Sequence, residues 1–168
     1  MKKYIESYKS KLSVIAKSYS ATEILFSENS FDVLDAFPNL NFSQDVSNYL
    51  KHCIPLINLE VGNILILSSS RIKEEARNLI PGIYVSPFGF IPIAVYYSGD
   101  PYVVDTCSGK IYSIEHGRYD DRGIAQGWDS TCTKMLPSLQ IDRDNIIATA
   151  EDSFDDIFEF LYHAAESC

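Results

Sequence analysis

Three short strand-like segments, separated by turns of only a few residues, occupy the middle of this 168-residue chain. They are predicted at about 90–97, 101–105 and 110–115, because each is rich in β-branched and aromatic residues and the turns between them carry Gly and Pro. A parallel connection needs about a dozen residues or more, far longer than these turns. The spacing therefore predicts a mostly antiparallel sheet, with a β-meander in this stretch.

Helical periodicity is found on the N-terminal side of the meander. An amphipathic helix is predicted from about 4 to 18, and a short one from Ser30 to before Pro38, whose ring ends helices. Ser43 is the predicted N-cap of a third helix. Its core-facing residues follow helical spacing and are Val46, Tyr49, Leu50, Cys53 and Ile54.

Two strands and one helix are predicted between that helix and the meander. The period changes after Gly62, and residues 63–67 are predicted as a buried strand. A helix at about 71–79 follows a run of three serines and is broken at Pro81. Residues 83–86 are predicted as a further strand.

After the meander, residues 117–134 are polar and glycine-punctuated, which is typical of a functional loop or of disorder. Residues 145–148 are predicted as a last edge strand. A final helix is predicted to open at Ser153, because Ser153 and Asp156 have capping-box spacing. Its predicted buried stripe is Phe154, Ile157, Phe158, Leu161, Ala164 and Ala165.

These elements predict one α+β domain over residues 1–168, with a mostly antiparallel sheet flanked by N-terminal and C-terminal helices. The length is typical of a single domain and is sufficient for a core without metal or disulfide support.

The chain is acidic, with a formal net charge of −9. Residues 1–17 carry five lysines against one glutamate, a net charge of +4, which leaves −13 on the rest. Such a field repels phosphate backbones and attracts basic proteins, so we expect a protein partner and no direct nucleic-acid binding. The alternative is that the acidity only keeps the protein soluble.

The cysteines at 53, 107, 132 and 168 form no CxxC pair, and no secretory signal opens the chain. No apolar run reaches the length of about 18 residues that a membrane helix needs. We therefore expect a cytoplasmic protein with reduced thiols, no metal, no cofactor and no membrane association.

The catalytic inventory is thin. The sequence has no GxSxG, HExxH or GxGxxG motif and no complete phosphate loop. His116 lies near Glu115, Asp120 and Asp121, so an aspartate-oriented general base is conceivable. The alternative is a histidine that caps backbone groups in a turn. We expect no catalytic residues.

Candidate partner-binding residues lie in the polar loop. Trp128, the only tryptophan, stands beside Asp129, and exposed aromatics ringed by charge are typical anchors of protein interfaces. Tyr119, Asp120 and Asp121 complete the predicted set. Trp128 could instead fold back over the sheet edge. The acidic run at 151–159 is either a solvated helix start or a face for a basic partner.

An ordered set of short motifs resembles the SUKH superfamily (Smi/Knr-like proteins). The first part of the set spans "IPIAVYYSGDPYVVDTCSGKIYSIEHG", and the second is "IATAEDSFDDIFEFL". The positions that match are Gly99, Asp100, Tyr102, Asp105, Gly109, Ile111, Tyr112, His116, Ser153, Phe154, Asp155, Asp156 and Leu161. The resemblance covers about 62–162, and the family's usual signature before residue 62 is not present.

The resemblance implies a non-enzymatic protein. Bacterial members of the superfamily look like immunity proteins that bind and neutralise toxins, many of them nucleases, and eukaryotic members act as regulatory adaptors. An immunity protein against a basic toxin domain is the leading expectation. An adaptor is the second, and a small hydrolase using His116 is the third. The matched motif residues are expected to fix the scaffold.

Overall fold

The computed structural model describes residues 6–7, 9–14, 26–27 and 30–166. A six-stranded antiparallel sheet lies at the centre of this part of the protein. The strands are β1 (Leu59–Val61), β2 (Ile64–Ile66), β3 (Phe90–Tyr96), β4 (Pro101–Asp105), β5 (Ile111–Ser113), β6 (Tyr119–Asp120), β7 (Gly123–Ile124) and β8 (Asp152–Phe154). The large sheet has the order β1-β2-β3-β4-β5-β8, and β6 and β7 form a separate hairpin. The predicted antiparallel meander is confirmed.

Helices flank this sheet, which confirms the α+β class. They are α1 (Asp32–Ala36), α2 (Gln44–His52), α3 (Ser69–Asn78), α4 (Gly82–Val85), α5 (Arg143–Ala148) and α6 (Ile157–Glu166). Short 3-10 turns lie at Ser86–Phe88 and His116–Arg118.

Alternation along the strands gives the sheet two buried faces, because successive side chains point to opposite sides. In β4, Tyr102 and Val104 point to the helix face, the side covered by α1, α2, α3 and α6. Val103 points to the hairpin face, the side covered by α4, α5 and the β6–β7 hairpin. Two separate hydrophobic clusters result, one on each side of the sheet.

The predicted helices before the sheet are confirmed where they are described. Ser43 caps α2, and its hydroxyl accepts the Val46 N–H at 3.3 Å. All five residues predicted to face the core are buried. The predicted helix at 71–79 corresponds to α3, which begins two residues earlier. β1 lies in a segment for which the sequence predicts no element.

Only part of the predicted N-terminal helix is described. Residues 6–7 and 9–14 are helical, and Leu12 is completely buried in the cluster of the helix face. The other apolar residues that show helical spacing in this segment are Tyr4, Ile5, Tyr8, Ile15, Ala16 and Tyr19, and they lie outside the described residues.

Two predicted strands are wrong and are helical. Residues 83–86 fall in α4 and the 3-10 turn after it, where the Val85 N–H donates to the carbonyl of Pro81. Residues 145–148 belong to α5, whose N-cap Asp142 accepts the Asn145 N–H at 2.9 Å. Both segments are short and β-branched, a composition that suits a buried strand or a buried helix equally well.

The predicted start of the last helix is also wrong. Ser153 lies in β8, the actual edge strand, and α6 begins at Ile157. The cap is shifted three residues along the chain: Asp156 accepts the Glu159 N–H at 2.9 Å, and the Glu159 carboxylate reaches back to the Asp155 N–H. Ile157, Leu161 and Ala164 are buried as predicted, and Phe160 joins them. The side chains of Phe158 and Ala165 are not among those described.

Candidate functional site

A hairpin-like arm, residues 124–139, projects from the β6–β7 hairpin and returns to its starting point. Ile124 and Leu139 pair at its base, where each N–H donates to the carbonyl of the other at 2.9 Å. The Gln126 side-chain amide also donates to the Pro137 carbonyl. The base is fixed to the protein because Ile124 and Leu139 pack in the cluster of the hairpin face.

The upper part of the arm is also paired. Trp128 and Met135 form an antiparallel bridge. Next to it, the Leu136 N–H donates to the Gly127 carbonyl at 2.8 Å. The two strands of the arm are therefore held together by backbone hydrogen bonds along their length.

This pairing presents large apolar side chains to solvent. Trp128 is 59% exposed, Met135 64% and Leu136 37%. Directly opposed residues of an antiparallel pair lie on the same side of it, so Trp128 and Met135 form one contiguous surface. The alternative that Trp128 folds back over the sheet edge is not what the structure shows.

Asp129 orders the tip of the arm. Its carboxylate accepts the Thr133 N–H at 2.9 Å, the Lys134 N–H at 3.3 Å and the Thr131 hydroxyl at 3.0 Å. The hydrogen bond from the Thr133 N–H is the main reason that the pKa of Asp129 lies below its ordinary value. The carboxylate is therefore committed to the loop that carries Trp128.

The other predicted partner-binding residues divide into buried and exposed ones. Tyr119 is only 4% exposed and packs in the cluster of the hairpin face, and burial raises its pKa although its hydroxyl lies 3.4 Å from that of Thr149. Its side chain supports the arm from beneath rather than lining a contact surface. Asp120 and Asp121 are exposed, and Asp120 accepts the Arg122 N–H in the turn between β6 and β7.

A second surface is the acidic face at β8 and the start of α6. Asp155 forms an exposed ion pair with Lys110 at 2.9 Å, and Asp156 and Glu159 take part in the helix cap. The acidic residues of this face are all exposed and comprise Glu151, Asp152, Asp155, Asp156 and Glu159.

Among the motif residues, Asp105 is the one buried carboxylate. It is buried at the end of β4, where its carboxylate accepts the Cys107 N–H at 3.0 Å, the Ser108 hydroxyl and the Arg143 guanidinium. Burial opposes ionisation, but these bonds outweigh it and lower the pKa of Asp105. Arg143 also donates to the Phe88 carbonyl, so it joins the start of α5 to the end of β4 and to the 3-10 turn that precedes β3.

Two further motif residues belong to an aromatic group on the helix face. The Tyr102 ring centroid lies 4.8 Å from that of Phe160, and the Phe154 centroid lies 5.7 Å from Phe160. The group joins β4, β8 and α6.

The remaining motif positions lie at turns and on the opposite face. Gly99 and Gly109 lie in the β3–β4 and β4–β5 connections. Tyr112 packs against Phe90 at 5.9 Å on the hairpin face and is paired with Ser153 of β8 in the sheet register.

His116 is oriented by an aspartate, but not by the predicted ones. Its Nδ1 lies 2.7 Å from an oxygen of Asp100, which also accepts the His116 backbone N–H at 2.9 Å. Ser98 donates to the other oxygen of Asp100 and not to the histidine. The arrangement joins the β3–β4 turn to the turn after β5. Within the described part of the chain, no hydroxyl nucleophile is hydrogen-bonded to this exposed imidazole.

The described residues contain no group of three or more His, Cys, Asp or Glu side chains placed to hold a metal ion. Cys53 is buried, which raises its pKa to about 12, whereas Cys107 and Cys132 are exposed free thiols. In the part of the chain that the structure describes, no helix has the length and apolarity required to cross a bilayer.

Sequence reasoning finds Trp128 but misses Met135 and Leu136. One signal for them exists: a Met-Leu pair stands in an otherwise polar stretch, seven residues beyond Trp128. Without the arm's register, nothing in the sequence places that pair beside the tryptophan.

Comparison of the chain with protein-family models, with curated proteins and with solved structures finds no significant match.

Proposed function

We propose that this protein is a non-enzymatic binding protein, an immunity protein that neutralises a cognate basic toxin domain by direct contact. The single observation that carries the proposal is the ordered arm that exposes Trp128 and Met135 side by side, with Leu136, the next residue, also partly exposed. Partly exposed aromatic and methionine side chains are enriched in protein interfaces. The acidic net charge and the resemblance to the SUKH superfamily support the same interpretation.

In the proposed mechanism, charge and apolar contact affect different steps of binding. The excess negative charge accelerates encounter with a basic partner, and burial of the apolar surface slows dissociation. The Asp129 hydrogen bonds and the Ile124–Leu139 pairing order the arm before it meets a partner. Such pre-ordering reduces the conformational entropy lost on binding.

The test is co-expression with the toxin domain encoded by the neighbouring gene. We expect the wild-type protein to restore growth and to elute with the toxin as one complex on a sizing column. A regulatory adaptor would instead capture several endogenous partners and give no protection. Absence of both rescue and complex formation would contradict the immunity proposal.

Replacing Trp128 with alanine should weaken the complex about 30-fold or more, the loss expected for an interface hot spot of about 2 kcal/mol. Binding would be measured by isothermal titration calorimetry with the purified toxin domain. Ile57→Ala is the matched control, since Ile57 is a large apolar residue, 77% exposed, outside the arm. Equal affinities for Trp128→Ala and wild type would remove the arm from the interface.

The second candidate function, a small hydrolase, is favoured by one observation, the imidazole of His116 held by Asp100. Because Ser98 bonds to Asp100 and not to His116, we expect that imidazole to be structural. His116→Ala should therefore retain full protection against the toxin in the growth assay. Loss of protection by His116→Ala, with the complex still formed, would favour the hydrolase.

A further inference from the structure

A cavity of about 330 Å³ opens at one end of the sheet, on the helix face. The strand ends that meet there supply Tyr96, Asp100, Tyr102, Ser113, Glu151 and Asp152 to its lining. It lies apart from the arm and has no part in the proposed binding of a toxin through Trp128.

The antiparallel register brings three of these side chains into one row. Tyr102 of β4 is paired with Ser113 of β5, and Ser113 is paired with Asp152 of β8. Directly paired residues point to the same face of a sheet. A phenol, a hydroxyl and a carboxylate therefore stand side by side along the cavity floor.

The two hydroxyls in this row have no hydrogen-bond partner among the described residues. Tyr102 and Ser113 are each only 7% exposed. Buried polar groups in folded proteins are nearly always hydrogen-bonded. Both hydroxyls open into the cavity, where a ligand with N–H donors can complete their hydrogen bonds.

The charge of the cavity defines the ligand. Burial raises the pKa of Tyr102, and the nearby Asp152, Asp100 and Glu151 raise it further, which places three carboxylates around the phenol. Asp100 is held ionised by its hydrogen bonds, which lower its pKa against the opposing effect of burial. The carboxylates of Glu151 and Asp152 form no hydrogen bond or ion pair with described residues.

No lysine or arginine among the described residues lines the cavity to balance this charge. His163 lines it as well, with its ring 5.0 Å from the ring of Phe154. The cavity is thus an acidic pocket with hydroxyl acceptors and the aromatic rings of Tyr96 and Tyr102 in its wall.

We propose that this cavity binds a guanidinium group, supplied by free arginine or by an arginine side chain of another protein. A guanidinium is planar, stacks on aromatic rings and donates several hydrogen bonds in a fixed fork. Asp152 and Glu151 accept from the fork, and the Ser113 and Tyr102 oxygens accept the remaining N–H groups. A lysine ammonium lacks the planar face that the tyrosine rings would cover.

Calorimetric titration of the full-length protein with four small probes tests this proposal. The probes are free L-arginine and the N-acetyl, N-methylamide derivatives of arginine, lysine and citrulline, the last being the neutral shape analogue of arginine. We expect the arginine derivative to bind at least about tenfold more tightly than those of lysine and citrulline. Tighter binding of free arginine would identify a small-molecule site, and equal or tighter binding of the derivative would identify a side-chain site.

Two variants and one control locate the binding. Asp152→Asn and Ser113→Ala should each weaken arginine binding, Asp152→Asn by about tenfold. Asp45→Asn, which removes an exposed carboxylate from the first turn of α2, should leave it unchanged. Equal affinity for all probes, a preference for lysine, or binding unaffected by Asp152→Asn would overturn the proposal. No toxin enters this assay, so its result is separable from failure of the immunity proposal.

Discussion

Replacing Asp105 with alanine is expected to cost about 2–3 kcal/mol of unfolding free energy, because partly buried donors lose the carboxylate that accepts their hydrogen bonds. The Asp105 side chain is 2% exposed, and its substitution leaves the Arg143 guanidinium, the Ser108 hydroxyl and the Cys107 N–H without their shared acceptor. Urea unfolding at neutral pH, followed by circular dichroism, would measure the loss.

The surface pair Lys110–Asp155 provides the control. Asp155 is 83% exposed on its side chain, so solvent screens the 2.9 Å contact. Asp155→Asn should therefore leave the unfolding midpoint within experimental error of wild type. Asp105→Asn replaces Asp105→Ala in this comparison if the alanine variant does not fold. A similar shift of the unfolding midpoint for Asp105→Asn and Asp155→Asn would show that burial of Asp105 contributes nothing to stability.

The same carboxylate predicts the direction of the pH dependence. The pKa of Asp105 is lower in the folded protein than in the unfolded chain, so its ionised form stabilises the fold above the unfolded pKa. That stabilisation is lost as the pH falls through the folded pKa. The stability of Asp105→Asn should therefore decline less than that of wild type as the pH falls below about 4, the pKa of an aspartate in an unfolded chain.

Local sequence signals predict the elements whose cause is local. The α2 helix follows from the Ser43 cap and the helical spacing of Val46, Tyr49 and Leu50, none of which depends on distant residues. The β3–β4 and β4–β5 turns follow in the same way from their Gly and Pro residues.

The wrong predictions concern segments decided by tertiary pairing. Ser153 has capping-box spacing with Asp156, yet β8 forms there because residues 152–154 pair with β5. The helix then begins where Asp156 and Glu159 can still cap it. A local pattern offers two adjacent helix starts, and the sheet edge determines which one is used.

The candidate sites are predictable only in part for the same reason. Trp128 is recognisable as the sole tryptophan in a polar loop, but its neighbour Met135 is set by the register of the arm. Likewise Tyr102, Ser113 and Asp152 are far apart in sequence, and only the antiparallel pairing of three strands brings them to one cavity. Long-range register of this kind has no signature in a single segment.

Replacing Gly123 with alanine is expected to detach the arm from the protein. A Cβ at this position would lie 2.1 Å from the Leu139 carbonyl oxygen, and the backbone has φ of +130°, where L side chains are strained. The Leu139 carbonyl accepts the Ile124 N–H, so relief of the clash breaks the base pairing of the arm. We expect a loss of about 3 kcal/mol in the local stability of the arm.

Hydrogen exchange measures that loss residue by residue. The amides of Ile124, Leu136 and Leu139 should exchange about 100-fold faster in Gly123→Ala, while the amides of β3 and β4 keep their protection. Toxin affinity should also fall in Gly123→Ala. A loosened arm has to become ordered when it binds, and this costs conformational entropy, whereas the wild-type arm is ordered before it binds.

Two other glycines separate the clash from the backbone strain. Gly127 has a φ of +79°, where an L side chain is strained. Apart from its chain neighbours, no described atom lies within 4 Å of the position of an alanine Cβ. Gly127→Ala therefore tests backbone strain without a clash. Gly117 has neither a positive φ nor a close neighbour of this kind. We expect the rate of amide exchange in the arm to rise in the order Gly117→Ala, Gly127→Ala, Gly123→Ala, with Gly117→Ala at the wild-type level.

If Gly123→Ala exchanges like Gly117→Ala, the arm is not held at its base. If the arm loosens without loss of toxin affinity, its pre-ordering is not what makes the protein bind.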